Sequence, residues 1–347
     1  MIALVRQSRK RKILLIILLA LILRFWAVFL LPQDFDEPIY LQNAFDYAKL
    51  INKGDINGII DYQGGREHPA LVKLIYGLDV AFLGKNATWA NAFYLSRSIS
   101  AIFGSLATLV VSLMVEPLSG GLLAVHTLAV KYTSQVYLES LPHLLSILAV
   151  LTFVRASKLI PDKWFWISAL CLGAATAGKF TYTPAIVIVI GYLFIFEKNT
   201  LRKWLLPYSL IALISFIGLD ITLWHDPFRR LVEAVTFHAS YSQGMHVQGV
   251  GYPWFQPFIW VFTSFPAEVH PEVFFYFGFD GIISVLGISA IKQEWTERRW
   301  LVIWFVAGMF FLLIWPTKWP QYALIVTPAL CIMAAGTLHR LINWVRE

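Results

Sequence analysis

Ten apolar segments, each 15 to 21 residues long, recur along the 347-residue sequence. An α-helix needs about 20 apolar residues to cross roughly 30 Å of hydrocarbon. Because 58% of the residues are hydrophobic and only 14% are charged, polar surface cannot cover such a chain in water. The sequence therefore predicts an all-α polytopic membrane protein, with one domain over residues 1–347 and no soluble C-terminal domain. The predicted spans are 13–31, 97–115, 120–138, 141–155, 164–178, 181–196, 204–224, 272–291, 300–315 and 321–338.

The basic residues of the loops alternate between the two sides that these spans define. Basic clusters at 6–12, 155–163, 198–203, 292–299 and 340–346 share one side, which the charge bias of short loops assigns to the cytoplasm. The long loop 32–96 falls on the opposite side, and its acids outnumber its basic residues. We therefore expect an integral protein of the plasma (inner) membrane, with both termini in the cytoplasm and the acidic loop outside.

Several other classes of protein do not fit the sequence. The net charge of +7 is scattered over many loops, so it does not indicate nucleic-acid binding. Cys171 and Cys331 lie in apolar segments and indicate no disulfide. No cleavage site of small residues follows the first apolar segment, which we interpret as a span and not a signal peptide. Arg24, within that span, is expected to reach the interface or to be buried in the helix bundle.

Two stretches of the first outer loop have helical periodicity but are too short to cross the membrane. Gly54 ends the first stretch, and the second begins after Pro69. We expect both to be amphipathic juxtamembrane helices that lie along the membrane surface. Their apolar faces are Leu41, Ala44, Phe45, Ala48 and Ile51 in the first stretch, and Leu71, Leu74, Ile75, Leu78 and Phe82 in the second.

The predicted span 120–138 is the least regular of the ten. His126, Lys131 and Gln135 interrupt its apolar character. Polar groups at that depth are expensive in lipid, so we expect them to face the protein interior.

Acids lie at both ends of the hydrophilic part of the first outer loop. Asp36 and Glu37 follow the first span within Phe35-Asp36-Glu37-Pro38-Ile39-Tyr40, and Glu67-His68-Pro69 ends this part before the chain turns apolar again. An acid at a helix start and proline in its first turn are also favoured structurally, so either acid could simply cap the first surface helix. The cluster predicts either a catalytic site or a helix cap.

Five short motifs, in this order along the chain, resemble the GT-C glycosyltransferases that use a polyprenyl-phosphate sugar. They resemble in particular the dolichyl-phosphate-mannose protein mannosyltransferases and the aminoarabinose transferase that acts on lipid A. Ala70 stands where the family's second element has another proline. The motifs are Phe35 to Tyr40, Glu67-His68-Pro69-Ala70-Leu71, Arg97-Ser98-Ile99-Ser100-Ala101, Gly178-Lys179-Phe180-Thr181, and Lys318-Trp319-Pro320-Gln321-Tyr322 followed by Pro328.

The resemblance implies a GT-C-like bundle and transfer of a sugar to an acceptor hydroxyl outside the cell. The acceptor loses a proton as it attacks, and we expect Asp36 to take it, with Glu37 in support. Cations near the departing phosphate would lower the barrier, and a single attack would invert the anomeric carbon. The expected substrate-binding residues are Tyr40, His68, Arg97, Lys179, Arg229, Lys318 and Tyr322. Lys179 and Lys318 are equally compatible with interfacial lysines that contact no substrate.

A divalent metal is a further expectation. Glu37, Glu67, His68 and four more histidines map to the outer side, and carboxylate with imidazole suits zinc or manganese, whereas carboxylates alone suit magnesium. We expect Glu67 and a histidine of the loop 225–246, His238, to be the ligands. These residues form no tight sequence motif, and each histidine could instead be solvated. The other histidines are His225, His246 and His270.

The second large outer segment, from Asp226 to Tyr252, is expected to fold over the first outer loop and roof a cavity. The donor's lipid would enter sideways, and a lipid, glycan or protein acceptor would arrive from water. Three rivals remain open: a transporter or flippase for a lipid-linked sugar, an oligosaccharide polymerase or ligase, and a noncatalytic assembly subunit. A transporter usually has repeated halves, and we detect no such repeat. The sugar and the acceptor are not visible in the sequence.

Overall fold

The computed structural model describes residues 2–270, 272–274 and 278–346. Eighteen α-helices account for most of these residues, and the described residues contain no β-strand beyond one bridge between Ala267 and His270. In chain order the helices are α1 Ile2–Leu30, α2 Glu37–Lys53, α3 Ile56–Ile60, α4 Leu71–Leu83, α5 Trp89–Met114, α6 Pro117–Val125, α7 Thr127–Tyr132, α8 Ser140–Arg155, α9 Lys163–Gly178, α10 Thr183–Tyr192, α11 Leu205–Leu219, α12 Pro227–Tyr241, α13 Met245–Val250, α14 Gln256–Phe262, α15 Asp280–Ser289, α16 Ile291–Glu297, α17 Arg299–Ile314 and α18 Thr327–Arg346.

Among the described residues, four helical segments are long and apolar enough to cross a membrane. They are Gln7–Leu30, Trp89–Met114, Phe180–Glu197 and Asn199–Leu219. Three further apolar helices, α8, α15 and α17, are 10 to 17 residues long. The helical membrane architecture is as predicted, but the number of ten spans is not confirmed. Residues 271 and 275–277, near the start of the predicted span 272–291, lie outside the described residues.

The bundle is held together by helix pairs that are distant in sequence. α1 packs against α5, α8 and α11 both pack against α9, and α15 packs against α18. At the contact between α9 and α11, a Cβ atom on Gly173 would lie 2.1 Å from the carbonyl oxygen of Ala212. Only glycine permits this approach, since the side chain of any other residue would clash with that oxygen. Membrane helices in general pack most closely at small residues.

The predicted span 120–138 is not one helix. α6 ends at Val125, α7 is one short helix, and residues 133–139 run irregularly to the start of α8. Every residue from Thr127 to Leu141 is buried. Irregular backbone at membrane depth is tolerated only where protein or a cavity surrounds it, and here protein does.

Two charged side chains form hydrogen bonds with the backbone groups that this break leaves without helical partners. The Arg24 guanidinium, which is buried in the bundle, donates to the Thr133 Oγ1 at 2.9 Å and to carbonyl oxygens at the end of α6 at 3.5 Å. The Asp280 carboxylate accepts from the backbone N–H groups of Thr127 at 2.6 Å and Leu128 at 3.1 Å. Of the two expectations for Arg24, the structure shows burial.

The two predicted surface helices are present as α2 and α4, which pack against each other. Gly54 ends α2 in the left-handed conformation, with φ of 66°. The apolar face predicted for α4 is exposed at Leu78 and Phe82, as expected for residues that face lipid. The side of α4 that meets α2 carries Gly77, where a Cβ atom would lie 2.5 Å from the Cβ of Tyr47.

Candidate active site

A cavity of about 320 Å³ opens where the two outer segments meet. Its wall is formed by the start of α2, the turn before α4, the end of α9, the end of α12 and the turn before α18. Seven of the eleven predicted site residues line it: Asp36, Tyr40, Glu67, His68, Lys179, His238 and Tyr322.

Asp36 occupies the N-cap position of α2, but its side chain does not cap the helix. Its backbone carbonyl accepts from Ile39 and Tyr40 instead. Among the residues that the structure describes, the Asp36 carboxylate has no hydrogen-bond or ion-pair partner, and it lines the cavity. The side chain is therefore available to a ligand.

The surroundings of Asp36 shift its acidity. Burial raises the pKa of the Asp36 carboxyl to about 6, although the positive charges of His270 and Lys179 oppose the rise. The negative charges of Glu139 and Asp34 act in the same direction as burial. At pH 7 the group is mostly ionised, with a pKa close to the value that suits a general base.

Lys179 follows the last residue of α9 and is held by a carboxylate that the sequence did not single out. Its ammonium group forms a buried ion pair with Glu139 and lies 5.3 Å from the centre of the Tyr322 ring. Glu139 is fully buried, and its second carboxylate oxygen has no hydrogen-bond partner in the described part of the chain. This pair fixes one positive charge at the cavity wall.

A second buried pair lies near Asp36 and consists of His270, which lines the cavity, and Asp34, which lies behind it. The Nδ1 atom of His270 is 3.1 Å from the Asp34 carboxylate and 3.0 Å from the Tyr137 hydroxyl. Lys131 connects the two partners, because its ammonium group lies 3.2 Å from the Asp34 carboxylate and 3.1 Å from the carbonyl oxygen of His270. Burial favours protonation of Asp34, but the hydrogen bond to His270 and the charge of Lys131 hold the pKa of Asp34 below its usual value.

Three imidazoles and one carboxylate surround the rest of the cavity. Burial, together with the charge of Lys179, holds the pKa of His68 well below its usual value, and burial lowers the pKa of His238 to about 4. Both rings are therefore neutral at pH 7 and add hydrogen-bonding capacity without charge. The ring of the third, His246, stacks on Phe35 with centroids 4.8 Å apart. The carboxylate is Glu67.

The two predicted metal ligands are neighbours in the cavity wall. The Nε2 atom of His238 lies 3.2 Å from the backbone carbonyl oxygen of Glu67. Within the described ranges, however, no group of three or more His, Cys, Asp or Glu side chains is placed to hold a metal ion. Glu67 and His238 would supply two protein ligands, fewer than the three or four that zinc usually takes, whereas magnesium is often held by one or two carboxylates together with substrate phosphate. The divalent metal therefore stays a prediction.

Glu37 and Arg97, which were predicted as site residues, do not line this cavity. They form a buried ion pair at 2.5 Å, and Glu37 also accepts from the backbone N–H groups of Asp34 and Val136. The remaining Arg97 donors reach the carbonyl oxygens of Val28, Leu31 and Pro32, each at 2.8 Å. The pair joins the end of α1 to α2 and α5, which is a structural position.

Arg229 and Lys318 also lie outside the cavity. Arg229 is exposed and pairs with Asp226 at 3.2 Å and Glu233 at 3.7 Å. The Lys318 ammonium donates to the carbonyl oxygens of Leu312 and Leu313 at 2.8 Å, at the end of α17. Lysine is favoured there because the last carbonyl groups of a helix lack partners within the helix.

The predicted contact between the two outer segments is present. Arg66 of the first segment forms an ion pair with Glu233 of α12 at 3.2 Å. The contacts of His238 with Glu67 and of His246 with Phe35 join the same segments at the cavity. The second segment thus forms part of the cavity wall.

The fold and the cavity together define a helical membrane protein with a polar cavity where its two outer segments meet. No protein-family model matches the sequence, and no curated protein matches it significantly. Among solved structures, ArnT from Cupriavidus metallidurans bound to undecaprenyl phosphate is similar, with a TM-score of 0.61 and 16% identity over 96% of this chain and 61% of ArnT.

A second similar structure is the oligosaccharyltransferase AglB from Archaeoglobus fulgidus, in complex with an inhibitory peptide and a dolichol-phosphate. Its TM-score is 0.59, with 12% identity over 97% of this chain and 51% of AglB. The chain thus spans about half to three fifths of the length of these two proteins. The predicted resemblance to the GT-C fold is confirmed, and at this identity the likeness shows the fold alone.

Proposed function

We propose that this protein is an integral-membrane glycosyltransferase. It moves a sugar from a polyprenyl-phosphate donor to an acceptor hydroxyl on the non-cytoplasmic face. Two similar structures support the donor class, because ArnT binds undecaprenyl phosphate and AglB binds a dolichol-phosphate. Since the chain covers only part of either protein, the acceptor is proposed no more narrowly than a lipid, glycan or protein.

One observation carries the proposal: a carboxylate without a partner among the described residues shares a cavity with a fixed cation. Asp36 is available to a ligand, whereas Lys179 is held in place by Glu139. A base and a positive charge that are separately positioned in one cavity suit a reaction in which one group loses a proton and another gains negative charge.

The proposed step conserves atoms and charge. Asp36 accepts the proton of the acceptor hydroxyl while the hydroxyl oxygen forms a bond to the C1 atom of the sugar. The bond from C1 to the phosphate oxygen breaks, and the polyprenyl phosphate leaves with the electron pair. One displacement inverts the configuration at C1, and the donor's phosphate is already a good leaving group, so no strong general acid is needed.

The remaining wall residues fit the binding of the two substrates. Lys179 provides the positive charge for the phosphate, and the neutral rings of His68 and His238 offer hydrogen bonds to sugar hydroxyls. Tyr40 and Tyr322 contribute aromatic surface, and Gln321 an amide group. At about 320 Å³ the cavity is at the small end of the usual range for ligand sites, roughly 300 to 1,000 Å³, and suits one sugar with its phosphate better than an oligosaccharide.

The test is transfer of radiolabelled sugar by the purified protein. Undecaprenyl-phosphate and dolichyl-phosphate donors that carry aminoarabinose or mannose would be offered with lipid A, a membrane lipid extract or a peptide pool. We expect transfer, and we expect Asp36→Asn to lose about 10²- to 10⁴-fold of the rate, as when a general base is removed.

Asp61→Asn is the matched control, since Asp61 is an exposed acid of the same loop. Full activity in Asp36→Asn would overturn the role of the base. Movement of intact donor across vesicles by wild type, without transfer to any acceptor, would instead favour the flippase alternative.

A further inference from the structure

The helix α12, in the second outer segment, has three chemically different sides. The first side is buried against the protein and is largely polar: Arg230, Ala234 and His238 are the buried residues of this helix. Apolar side chains usually cover the buried face of an amphipathic helix, so α12 departs from the usual pattern.

The second side is apolar and exposed. Phe228, Val232 and Val235 are exposed to 79%, 46% and 71%, and Ala239 continues the row. Positions i, i+4, i+7 and i+11 lie within roughly 60° around a helix axis, so the four side chains form one continuous stripe. We call these four residues the apolar stripe.

The third side is polar and exposed, about a quarter turn from the apolar stripe. It carries Arg229, Thr236 and Ser240. Arg229 forms its ion pairs on this side, with Asp226 and Glu233. A helix with one side packed against the protein, one exposed apolar side and one exposed polar side has the pattern expected at the boundary between lipid and water.

The position of α12 along the chain agrees with this pattern. The candidate span Asn199–Leu219 ends eight residues before Pro227, the first residue of α12. Trp224 lies between them, half exposed, and its indole N–H donates to the carbonyl oxygen of Ile217 at 2.9 Å. The start of α12 is therefore held at the end of a membrane span, and tryptophan is the residue typical of that depth.

We propose that α12 is an interfacial helix whose apolar stripe lies in the acyl region of the outer leaflet, with Arg229 directed toward the lipid headgroups. Phe237, His238 and Tyr241 of the same helix line the cavity. α12 is then the wall between the cavity and the lipid. The membrane contact itself does not depend on the proposed glycosyl transfer.

The test uses single cysteines that carry a nitroxide label, in protein whose Cys171 and Cys331 have been replaced by alanine. Labels at 228, 232 and 235 would be compared with labels at 229, 236 and 240, in vesicles of phosphatidylcholine and phosphatidylglycerol. We expect the first set to be several-fold more accessible to oxygen than to a water-soluble nickel complex, and the second set to show the reverse.

Equal nickel accessibility at 232, 235, 236 and 240 would overturn the proposal. Protection of the apolar stripe in native membranes but not in these vesicles would overturn it as well, because a protein partner would then cover the stripe. A second measurement avoids labels: Val232→Trp should be quenched by lipids brominated in the acyl chain, and Thr236→Trp should be quenched much less. Equal quenching of the two tryptophans would also count against the proposal.

Discussion

The carboxylates of Asp36 and Glu37 begin the same helix and lie in different surroundings. Glu37 is fully buried and accepts from Arg97 and from two backbone N–H groups. Asp36 lines the cavity, and no described residue forms a hydrogen bond or ion pair with its carboxylate. A buried carboxylate needs partners to stay ionised, whereas a reactive one must be free to take a proton. The two side chains therefore suit different tasks.

The first prediction concerns the dependence of transfer on pH. Asp36 accepts a proton only when it is ionised, and its pKa is about 6. We expect kcat/KM for the donor, measured with saturating acceptor, to be level above pH 7 and to fall about tenfold per pH unit below pH 6.

Neighbouring charges should move this pH profile in a known direction. The charge of His270 lowers the pKa of Asp36, so His270→Gln should shift the acidic limb toward higher pH. The other groups that act on Asp36 are Lys179, Glu139 and Asp34. A limb that stays in place in His270→Gln, or that is absent in wild type, would contradict the role of Asp36.

The second prediction separates the two acids by stability. Glu37→Gln leaves the Arg97 guanidinium buried beside a neutral partner, and removal of one member of a buried pair costs about 3 to 5 kcal/mol. We expect a clear fall in thermal unfolding temperature in detergent. Asp36→Asn should unfold at the wild-type temperature or above, because a carboxyl with a raised pKa is less favourable when ionised in the folded protein. If both variants unfold like wild type, the structural position of Glu37 is wrong.

Which residues meet in the cavity was partly predictable from topology. Seven predicted residues line it because the ends of several helices lie on one side of the membrane. The buried partners were not predictable: Glu139 lies 40 residues from Lys179, and Asp34 follows the first predicted span whereas His270 lies just before the predicted span 272–291. No local pattern marks such pairs. Lys179 and Lys318 could not be distinguished either, since only packing decides which lysine meets a carboxylate and which meets the end of a helix.

At the scale of elements, the broken segment from α6 to α8 shows how distant residues override local hydropathy. Its composition predicts one span, and only His126, Lys131 and Gln135 indicate a problem. The break is stable because Arg24 of α1 and Asp280 of α15 bind its free backbone groups. The surface helices α2 and α4 were predictable because periodicity, proline and glycine are local signals.

The third prediction tests that break. Asp280→Ala removes the acceptor for two buried backbone N–H groups at the start of α7, and each unsatisfied group costs about 1 to 3 kcal/mol. We expect a destabilisation of about 2 to 4 kcal/mol in chemical unfolding. The matched control is Asp55→Ala, which removes the exposed cap of α3 and should cost about 1 kcal/mol, since water replaces it. Equal losses in the two variants would show that the break does not depend on Asp280.

At the scale of the whole molecule, composition alone was enough to predict a helical membrane protein, but the lengths of its helices were less predictable. Within the described residues, four helical segments are both long and apolar enough to span a membrane, and three further apolar helices are only 10 to 17 residues long. Short helices are stable in such a bundle because neighbouring protein, rather than lipid, surrounds their ends. Counting apolar residues cannot detect this shielding, which arises only when the chain is packed.

The last prediction concerns orientation, on which the external position of the cavity depends. The basic loops should lie in the cytoplasm and the two outer segments outside, because short loops rich in lysine and arginine are retained on the inner side. Single cysteines in the cysteine-free protein would test this, at exposed positions 63 and 248 for the outer side and 203 and 297 for the inner side. In intact cells, a membrane-impermeant maleimide should label Gln63→Cys and Gln248→Cys, and should label Lys203→Cys and Glu297→Cys only after permeabilisation. The reverse pattern would place the cavity in the cytoplasm and exclude transfer on the outer face.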